Sequence, residues 1–481
     1  MLMANHLTPT RSQSNDRWQL EILAPGVSTF DFLGSLNYTG PAYETGLQTL
    51  RVTYPQHIWN MTYLASPSCF EHMDTVQAKL AEWYYVKRSQ RSVAVIVMPG
   101  CGEGAIINSL ASAWNVLMIT SSEGLVLPDP RKRPTWITTT PIPPLPEVYC
   151  SFLKSHGWTK VYVFLDQFGL EATYYSYVAT RVKGSLNACG VRFEQNICLS
   201  TGPGRGNCSL TTTLEDFNNR HRIFLYFGKP SGLRIILIEA SRLNMTNGKH
   251  VYVAVIPYRM KIYGTEFRWQ NYDLDDEVVR QAYQSVILLS LVDESRYTTA
   301  SMANLIRKWR VYSEQDFSNT HLEFELPLPI LIATHAALEL VGRVVHELFV
   351  ELDGSLSEKW DGLITGTQLA SRIRNRTFSD LDVGKMHMTV QGHLTFQTHA
   401  HYFHNATGQF VEYMRARLTE DDAFFWVATA DSQWFNQTGF PSDEPMRDRS
   451  DGDRRAFLAW AAVVGIPIGL VLAITASQIM R

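Results

Sequence analysis

Two short segments of this chain gather residue types that do chemistry. The first is the loop PGCGEG, Pro99 to Gly104, which closes a run of apolar, β-branched residues. Backbone N–H groups in such a loop can cradle an anion. A phosphate loop needs Lys-Ser/Thr behind the glycines, and a dinucleotide fingerprint needs a ribose-binding acid at the right distance. Neither pattern is met, so the loop reads as a tight strand-to-helix turn. The second segment holds Asp166, Tyr174 and Tyr175, just after the run Val161 to Leu165. In open α/β sheets, ligands lie beyond the carboxyl ends of the strands. Tyrosine suits a binding surface because a large rigid ring ends in a polar hydroxyl. Histidines gather later, with His399 and His401 alternating on one strand face and His387, His393 and His404 nearby. That spacing can hold a metal, but a solvated strand face accounts for it, and no metal is expected. No Ser/His/Asp triad, carboxylate pair or nucleophile elbow stands in a supporting context, so no catalytic residue is expected.

The 6 cysteines are an even count. That suits an oxidising compartment and leaves the connectivity open. No Cys-x-x-Cys occurs, which argues against a zinc ribbon or finger. Cys198 and Cys208 flank the glycine-rich stretch TGPGRGN and are placed to close it. Cys69 and Cys101 each follow an expected strand. Cys150 and Cys189 remain as a candidate pair, with the connectivity left open.

The end of the chain is oil. From Ala456 to Ala476 no residue carries a charge. At about 1.5 Å per helical residue this stretch covers roughly 30 Å, the hydrocarbon thickness of a bilayer. Residues 456–476 are therefore expected to span a membrane, behind a charged juxtamembrane linker at 441–455 and ahead of a short tail at 477–481. Gly465 and Gly469 form a GxxxG motif suited to pairing of two such helices, and Pro467 between them favours a kink. Seven Asn-x-Ser/Thr sequons precede the span, at Asn37, Asn60, Asn207, Asn244, Asn375, Asn405 and Asn436. Together they favour an extracellular, glycosylated domain, hence a single-pass type I protein of the plasma membrane. Arg454 and Arg455 before the span oppose this orientation weakly. Residues 1–17 hold no apolar leader and read as a disordered or incomplete N-terminus, with the true start missing or misassigned. A tail-anchored cytosolic protein is the rival, and it leaves every sequon unused. A net charge of −3 and 45% hydrophobic content describe an ordinary globular chain, with no basic excess for nucleic acid.

Strand and helix patterns alternate, twice over. LEILA (Leu20 to Ala24), IWNMTYLA (Ile58 to Ala65), SVAVIVM (Ser92 to Met98) and VLMIT (Val116 to Thr120) read as strands, with helices near 43–51, 75–85 and 105–114. SVAVIVM is wholly apolar, as expected of a central parallel strand covered on both faces. The Pro-rich run TTTPIPPLPEV marks a crossing between lobes. Beyond it VYVFL, VRFEQNI, RIFLYF and VYVAVI read as strands, with helices at 174–189 and 232–243. A long apolar helix is expected over 326–352, followed by a hairpin turning at Gln391 and Gly392. The pattern implies two α/β lobes, each a parallel sheet with helices on both faces. The bilobed domain is placed at 18–440, with lobe 1 at about 18–145 plus a later return and lobe 2 at about 146–350.

Several segments in order resemble one family. VMPGCGEGAIINSLASAWNVLMIT, FLKSHGWTKVYVFLD, LNMTNGKHVYVAV, RQAYQSVILLS, NRTFSDLDVGKMHMTVQGHLTF and WFNQTGFPSDEP are similar to stretches of the natriuretic peptide receptor and receptor guanylyl cyclase ectodomains. The resemblance implies a type I periplasmic-binding-protein-like fold and a peptide hormone bound between two protomers of a homodimer. It implies a Cys69–Cys101 disulfide, a chloride at the amides of Gly100 and Cys101, and peptide contacts at Asp166, Tyr174 and Tyr175. The chain departs from the family at Gly102 and Glu103, where an aromatic is usual, and Glu103 would repel a halide. It also lacks both partners of the family's lobe-2 disulfide, which puts the natriuretic ligand itself in doubt. No kinase-homology or cyclase domain follows the span. A clearance-like receptor, a truncated receptor guanylyl cyclase, and a small-ligand receptor using the hydroxyls of TSSE (Thr120 to Glu123) are the alternatives.

Overall fold

A computed structural model describes residues 18–28, 34–89, 92–100, 102–121, 129–141, 145–167, 172–198, 208–256, 267–290, 297–319, 329–352, 364–394, 398–418, 424–432, 434–435 and 439–444. Two sheets organise the chain. In lobe 1, β1 (Gln19–Val27), β2 (Ile58–Ser66), β3 (Ser92–Met98), β4 (Leu117–Thr120) and β5 (Trp136–Pro141) lie parallel in the order β2-β1-β3-β4-β5. Lobe 2 repeats the plan. There β6 (Lys160–Asp166), β7 (Arg192–Cys198), β8 (Ile223–Phe227), β9 (Val251–Ile256) and β10 (Val286–Ser290) run parallel as β7-β6-β8-β9-β10.

The apolar strands explain the layering. On β3, Val93, Val95 and Val97 belong to one buried cluster, while Ile96 and Met98 belong to another on the opposite face. Each such side chain contributes about 1.5–3 kcal/mol relative to exposure, which a strand earns only if both faces are covered. Helices α1 (Leu36–Thr53), α2 (Cys69–Glu82) and α3 (Gly104–Ala113) connect the lobe-1 strands. In lobe 2 the connecting helices are α4 (Leu145–Ser155), α5 (Ala172–Leu186), α6 (Leu210–Arg220), α7 (Pro230–Arg242) and α8 (Asp276–Tyr283).

The later helices correct the expected division. α9 (Ala300–Gln315), α10 (Pro329–Glu351) and α11 (Gly366–Ile373) all return to lobe 1, where Met302, Trp309, Leu331, Leu338 and Ile373 share a core with Trp18 and Leu20. Lobe 2 therefore does not run on to 350. It breaks off after β10 and resumes near residue 398. The physical reason is α10 itself, which is buried on every side from Pro329 to Gly342. A helix apolar all round needs a core on all sides, and lobe 1 supplies it.

The expected hairpin divides between the lobes. β11 (Arg376–Phe378), β12 (Met386–Met388) and β13 (His393–Leu394) extend the lobe-1 sheet beyond β5. Gly392 makes the turn before β13 at φ 90°, a left-handed conformation that suits glycine. β14 (His399–His404), β15 (Gln409–Leu418) and β16 (Phe424–Ala428) extend lobe 2 as antiparallel strands beside β10. The Pro-rich run likewise splits, into β5 and the first turn of α4. The chain thus crosses between lobes after β5, after β10 and after β13.

The last described residues are docked rather than loose. The Asp443 carboxylate accepts from the backbone N–H of Thr159, from that of Lys160 at 2.8 Å and from the Thr159 hydroxyl at 3.1 Å. Trp158 Nε1 donates to the Pro441 carbonyl at 2.9 Å. The linker expected at 441–455 therefore begins as part of lobe 2. The apolar segment 456–476, with Gly465 and Gly469, lies outside the described residues, as do the tail 477–481, residues 1–17, Asn207 and Asn436. Among the described residues no helix is long and apolar enough to cross a membrane.

Cys150 and Cys189 are joined by a disulfide, with Cα atoms 6.0 Å apart and a sequence separation of 39. Closing such a loop is worth about 4 kcal/mol in the chain-entropy picture. Cys69 is disulfide-bonded; its expected partner Cys101 lies outside the described residues. Cys198 and Cys208 remain thiols, which corrects the expected closure of the loop between them. Cys198 ends β7 with its side chain fully buried among Tyr162, Phe164 and Leu214. Cys208 turns its sulfur to the Thr213 hydroxyl, 3.8 Å away.

Candidate ligand-binding site

Both sheets change direction of winding at their second and third positions, between β1 and β3 in lobe 1 and between β6 and β8 in lobe 2. Chains leaving the two sides of such a point diverge and open a crevice beyond the strand ends. The lobe-2 crevice is bounded by Asp166 and Gln167 after β6 and by Gly228 and Lys229 after β8.

Asp166 is 5% exposed. The Tyr226 hydroxyl lies 3.4 Å from its Oδ2 and donates to the Lys229 carbonyl at 2.8 Å. Burial first, and the Asp166 charge second, push the Tyr226 hydroxyl well up, so it stays a donor. Gly228 is required here: a Cβ would stand 2.5 Å from the Tyr226 hydroxyl oxygen and 2.7 Å from Asp166 Cβ. Tyr175 is 1% exposed and lies close enough to raise the hydroxyls of both Tyr149 and Tyr226. The Tyr149 hydroxyl is buried without a hydrogen-bond partner. At the carboxyl edge of the lobe-2 sheet, Tyr226 thus links the Asp166 carboxylate to Tyr175, and Tyr175 in turn neighbours Tyr149.

Of the expected site residues, the structure brings Asp166 and Tyr175 together and sinks Tyr175 beneath the surface. Tyr174 lies in the first turn of α5, and its side chain is outside the described residues. Sequence reasoning missed Tyr149, Tyr226 and Lys229, which become neighbours only once the strand order is known.

The lobe-1 switch point carries different chemistry. His72 Nε2 and Glu103 Oε1 pair at 3.0 Å with both side chains fully buried. His72 Nδ1 lies 3.2 Å from the Ser66 hydroxyl, which accepts from Lys79 Nζ at 2.9 Å. Gly100 of the expected chloride cradle is buried at φ 81°, and Cys101 is outside the described residues. Nearby hydroxyls are already engaged. Thr120 Oγ1 accepts from Trp136 Nε1 at 3.0 Å, and Ser121 Oγ accepts from Thr334 at 2.7 Å. Ser122 and Glu123 lie outside the described residues.

The five histidines do not converge, because His387 and His393 belong to lobe 1 and the other three to lobe 2. Nor is the strand face a solvated one: His399 is 6% exposed, and its Nδ1 pairs with Glu412 Oε2 at 2.7 Å.

Two α/β lobes of one topology, joined by three crossings with a crevice at each switch point, define a bilobed ligand-binding domain. The receptor family ligand-binding region matches residues 60–399. The chain belongs to that family, the ANF receptor ligand-binding domains. No curated protein matches it.

Proposed function

We propose that this chain is a single-pass cell-surface receptor that binds an extracellular peptide through the lobe-2 switch point, working as a homodimer. The observation that carries the reading is the Asp166–Tyr226 cluster at the carboxyl edge of a sheet in a receptor ligand-binding fold. Asp166 would receive a cationic or N–H group of the peptide, and Tyr174 and Tyr175 would flank it. Tyr175 is buried in this state, so its part in binding requires α5 to shift, and a ligand can drive that shift only by its differential affinity for the two arrangements. Residues 456–476 would anchor the protein, and Gly465 and Gly469 would pair two anchors. Chloride is not proposed, because at Gly100 and Cys101 it would neighbour the buried Glu103 carboxylate. The engaged hydroxyls of Thr120 and Ser121 weaken the amino-acid reading.

Exposure separates the sequons. Asn244 and Asn375 are exposed at turn residues with φ 57° and 49°, where a glycan has room. Asn60 sits in β2 with its Nδ2 donating to Glu21 at 3.0 Å, and Thr39 of the Asn37 sequon is fully buried. Expression in mammalian cells tests the topology: surface biotinylation should label the chain, and glycosidase treatment should show glycans at Asn244 and Asn375 and none at Asn37 or Asn60. An unglycosylated cytosolic product would overturn the assignment. Calorimetry with tissue peptide fractions and with free amino acids tests the ligand. Loss of peptide binding in Asp166→Asn supports the site, whereas binding of amino acids alone refutes a peptide receptor.

A further inference from the structure

The structure assigns a divalent transition-metal site, best fitted to zinc, to His335, Glu339 and Asp382 in lobe 1. His335 and Glu339 stand one turn apart on α10 and face the same way. Asp382 comes from the turn between β11 and β12. His335 Nε2 lies 3.7 Å from Glu339 Oε2 and 3.7 Å from Asp382 Oδ2. The three atoms all lie within 4.8 Å of one another, the only such grouping of three candidate ligands among the described residues. A point equidistant from them is roughly 2.1–2.4 Å from each, next to the bond lengths zinc takes with imidazole nitrogen and carboxylate oxygen.

Two of these atoms are buried and lack partners. His335 is fully buried and Glu339 is 8% exposed, and neither His335 Nε2 nor Glu339 Oε2 has a hydrogen bond. Hydrogen bonds between them are ruled out by distance, since 3.7 Å exceeds the N–H···O range.

Each ligand residue is held by further hydrogen bonds, on Glu339 and His335 through the atom away from the cluster and on Asp382 through the ligating oxygen itself. Glu339 Oε1 accepts from the Asp382 backbone N–H at 2.8 Å, which leaves Oε2 aimed at the cluster. Asp382 Oδ2 accepts from the Thr49 hydroxyl at 3.1 Å. His335 Nδ1 lies 3.1 Å from Thr45 Oγ1. That hydroxyl donates to the Pro41 carbonyl at 2.9 Å and accepts from Trp309 Nε1 at 2.8 Å. Its remaining lone pair therefore accepts from Nδ1, which turns Nε2 toward the two carboxylates. Three ligand-type atoms aimed at one point suit a cation, and a dication balances two carboxylates. Partners of this kind fix ligand orientation in known metal sites. An imidazole ligand selects zinc over calcium or magnesium. Asp382 is half-exposed, which gives the ion an entry path and a coordination position for water. The ion would clip α10, the central helix of lobe 1, to the strap after β11.

The test uses the full chain, stripped with EDTA and dialysed against zinc chloride, with metal content and thermal unfolding as readouts. One equivalent of zinc bound and a raised Tm are expected. Asp382→Asn should weaken zinc binding at least about 100-fold, and Thr45→Val by about 10- to 100-fold. Asp380→Asn, two residues away and paired with Arg343 instead, should bind as the wild type does. If the wild type takes up no zinc at submillimolar concentration, or if Asp382→Asn binds it equally well, the site is refuted.

Discussion

The two lobes share one strand order yet finish their switch points in opposite ways. Lobe 1 fills the position with a fully buried histidine–carboxylate pair, His72 with Glu103. Lobe 2 fills it with the Asp166 carboxylate facing the Tyr226 hydroxyl. Removing one partner of a buried polar pair strands the other, whereas removing a carboxylate beside a phenol leaves a neutral group that tolerates burial better. The lobe-1 end is therefore built to hold shape, and the lobe-2 end carries the carboxylate proposed above to meet a ligand.

The largest expected effect comes from breaking the lobe-1 pair. His72→Ala should cost about 3 kcal/mol, because it removes a hydrogen-bond partner from the buried Glu103 carboxyl group. Denaturant unfolding would measure it. The double change His72→Leu with Glu103→Leu should recover much of the loss, since both members of the buried polar pair are then replaced. A cost under about 1 kcal/mol for His72→Ala would remove the contrast between the lobes. Asp166→Asn in lobe 2 should cost about 1 kcal/mol or less and act on binding instead.

Acid should separate the lobes next. In lobe 2, burial and then the neighbouring Arg222 and Lys249 hold His250 down to about 3. Arg222 Nη1 contacts its Nε2 at 2.6 Å, so a second positive charge there is opposed. In lobe 1, burial and then His346 hold His57 down to about 4. Both folded values lie below the unfolded value near 6.5. Each histidine therefore contributes full stability above pH 6.5, and that contribution is lost as pH falls toward the folded value. The His250 window reaches lower, so lobe 2 should lose more. Tryptophan fluorescence against pH would follow the loss, and His250→Gln should flatten the lobe-2 share while leaving that of His57.

How far the sequence foretold this contrast depends on the range of each interaction. SVAVIVM announced β3 because its covering on both faces is written in its own apolarity. The switch-point loop PGCGEG and the strand end at Asp166 were legible for the same local reason. The return of α10 to lobe 1 was not, because a wholly apolar helix says that it is buried and not where. Tyr226 stayed hidden because 60 residues separate it from Asp166 in sequence, and only the parallel pairing of β6 with β8 unites them. His335 and Glu339 did carry a signal, their one-turn spacing, but Asp382 reaches them only through the fold.

A moderate effect is expected at the exit of lobe 2. Asp443 holds the start of β6 through two backbone N–H groups and one hydroxyl. Charge-assisted bonds of this kind contribute about 1.5–3 kcal/mol each when their loss strands a donor. Asp443→Ala should lower lobe-2 stability by about that amount in total, since water reaches the vacated edge. Hydrogen exchange should quicken at Thr159 and Lys160 and not in β1 of lobe 1. Equal quickening in both lobes would mean that the tail braces the whole domain.

The smallest effect is the absence of one. If the Glu103 carboxylate already supplies the negative charge beside Gly100, exchanging chloride for a large organic anion should leave Tm essentially unchanged. Glu103→Gln is the sharper form of the test. It keeps the shape and removes the carboxylate that His72 contacts, so chloride should now stabilise the variant by on the order of 1 kcal/mol. Chloride dependence in the wild type and its loss in Glu103→Gln would reverse the roles, making lobe 1 the ion-binding end and stripping the lobe-2 carboxylate of its distinction as the one proposed to meet a ligand.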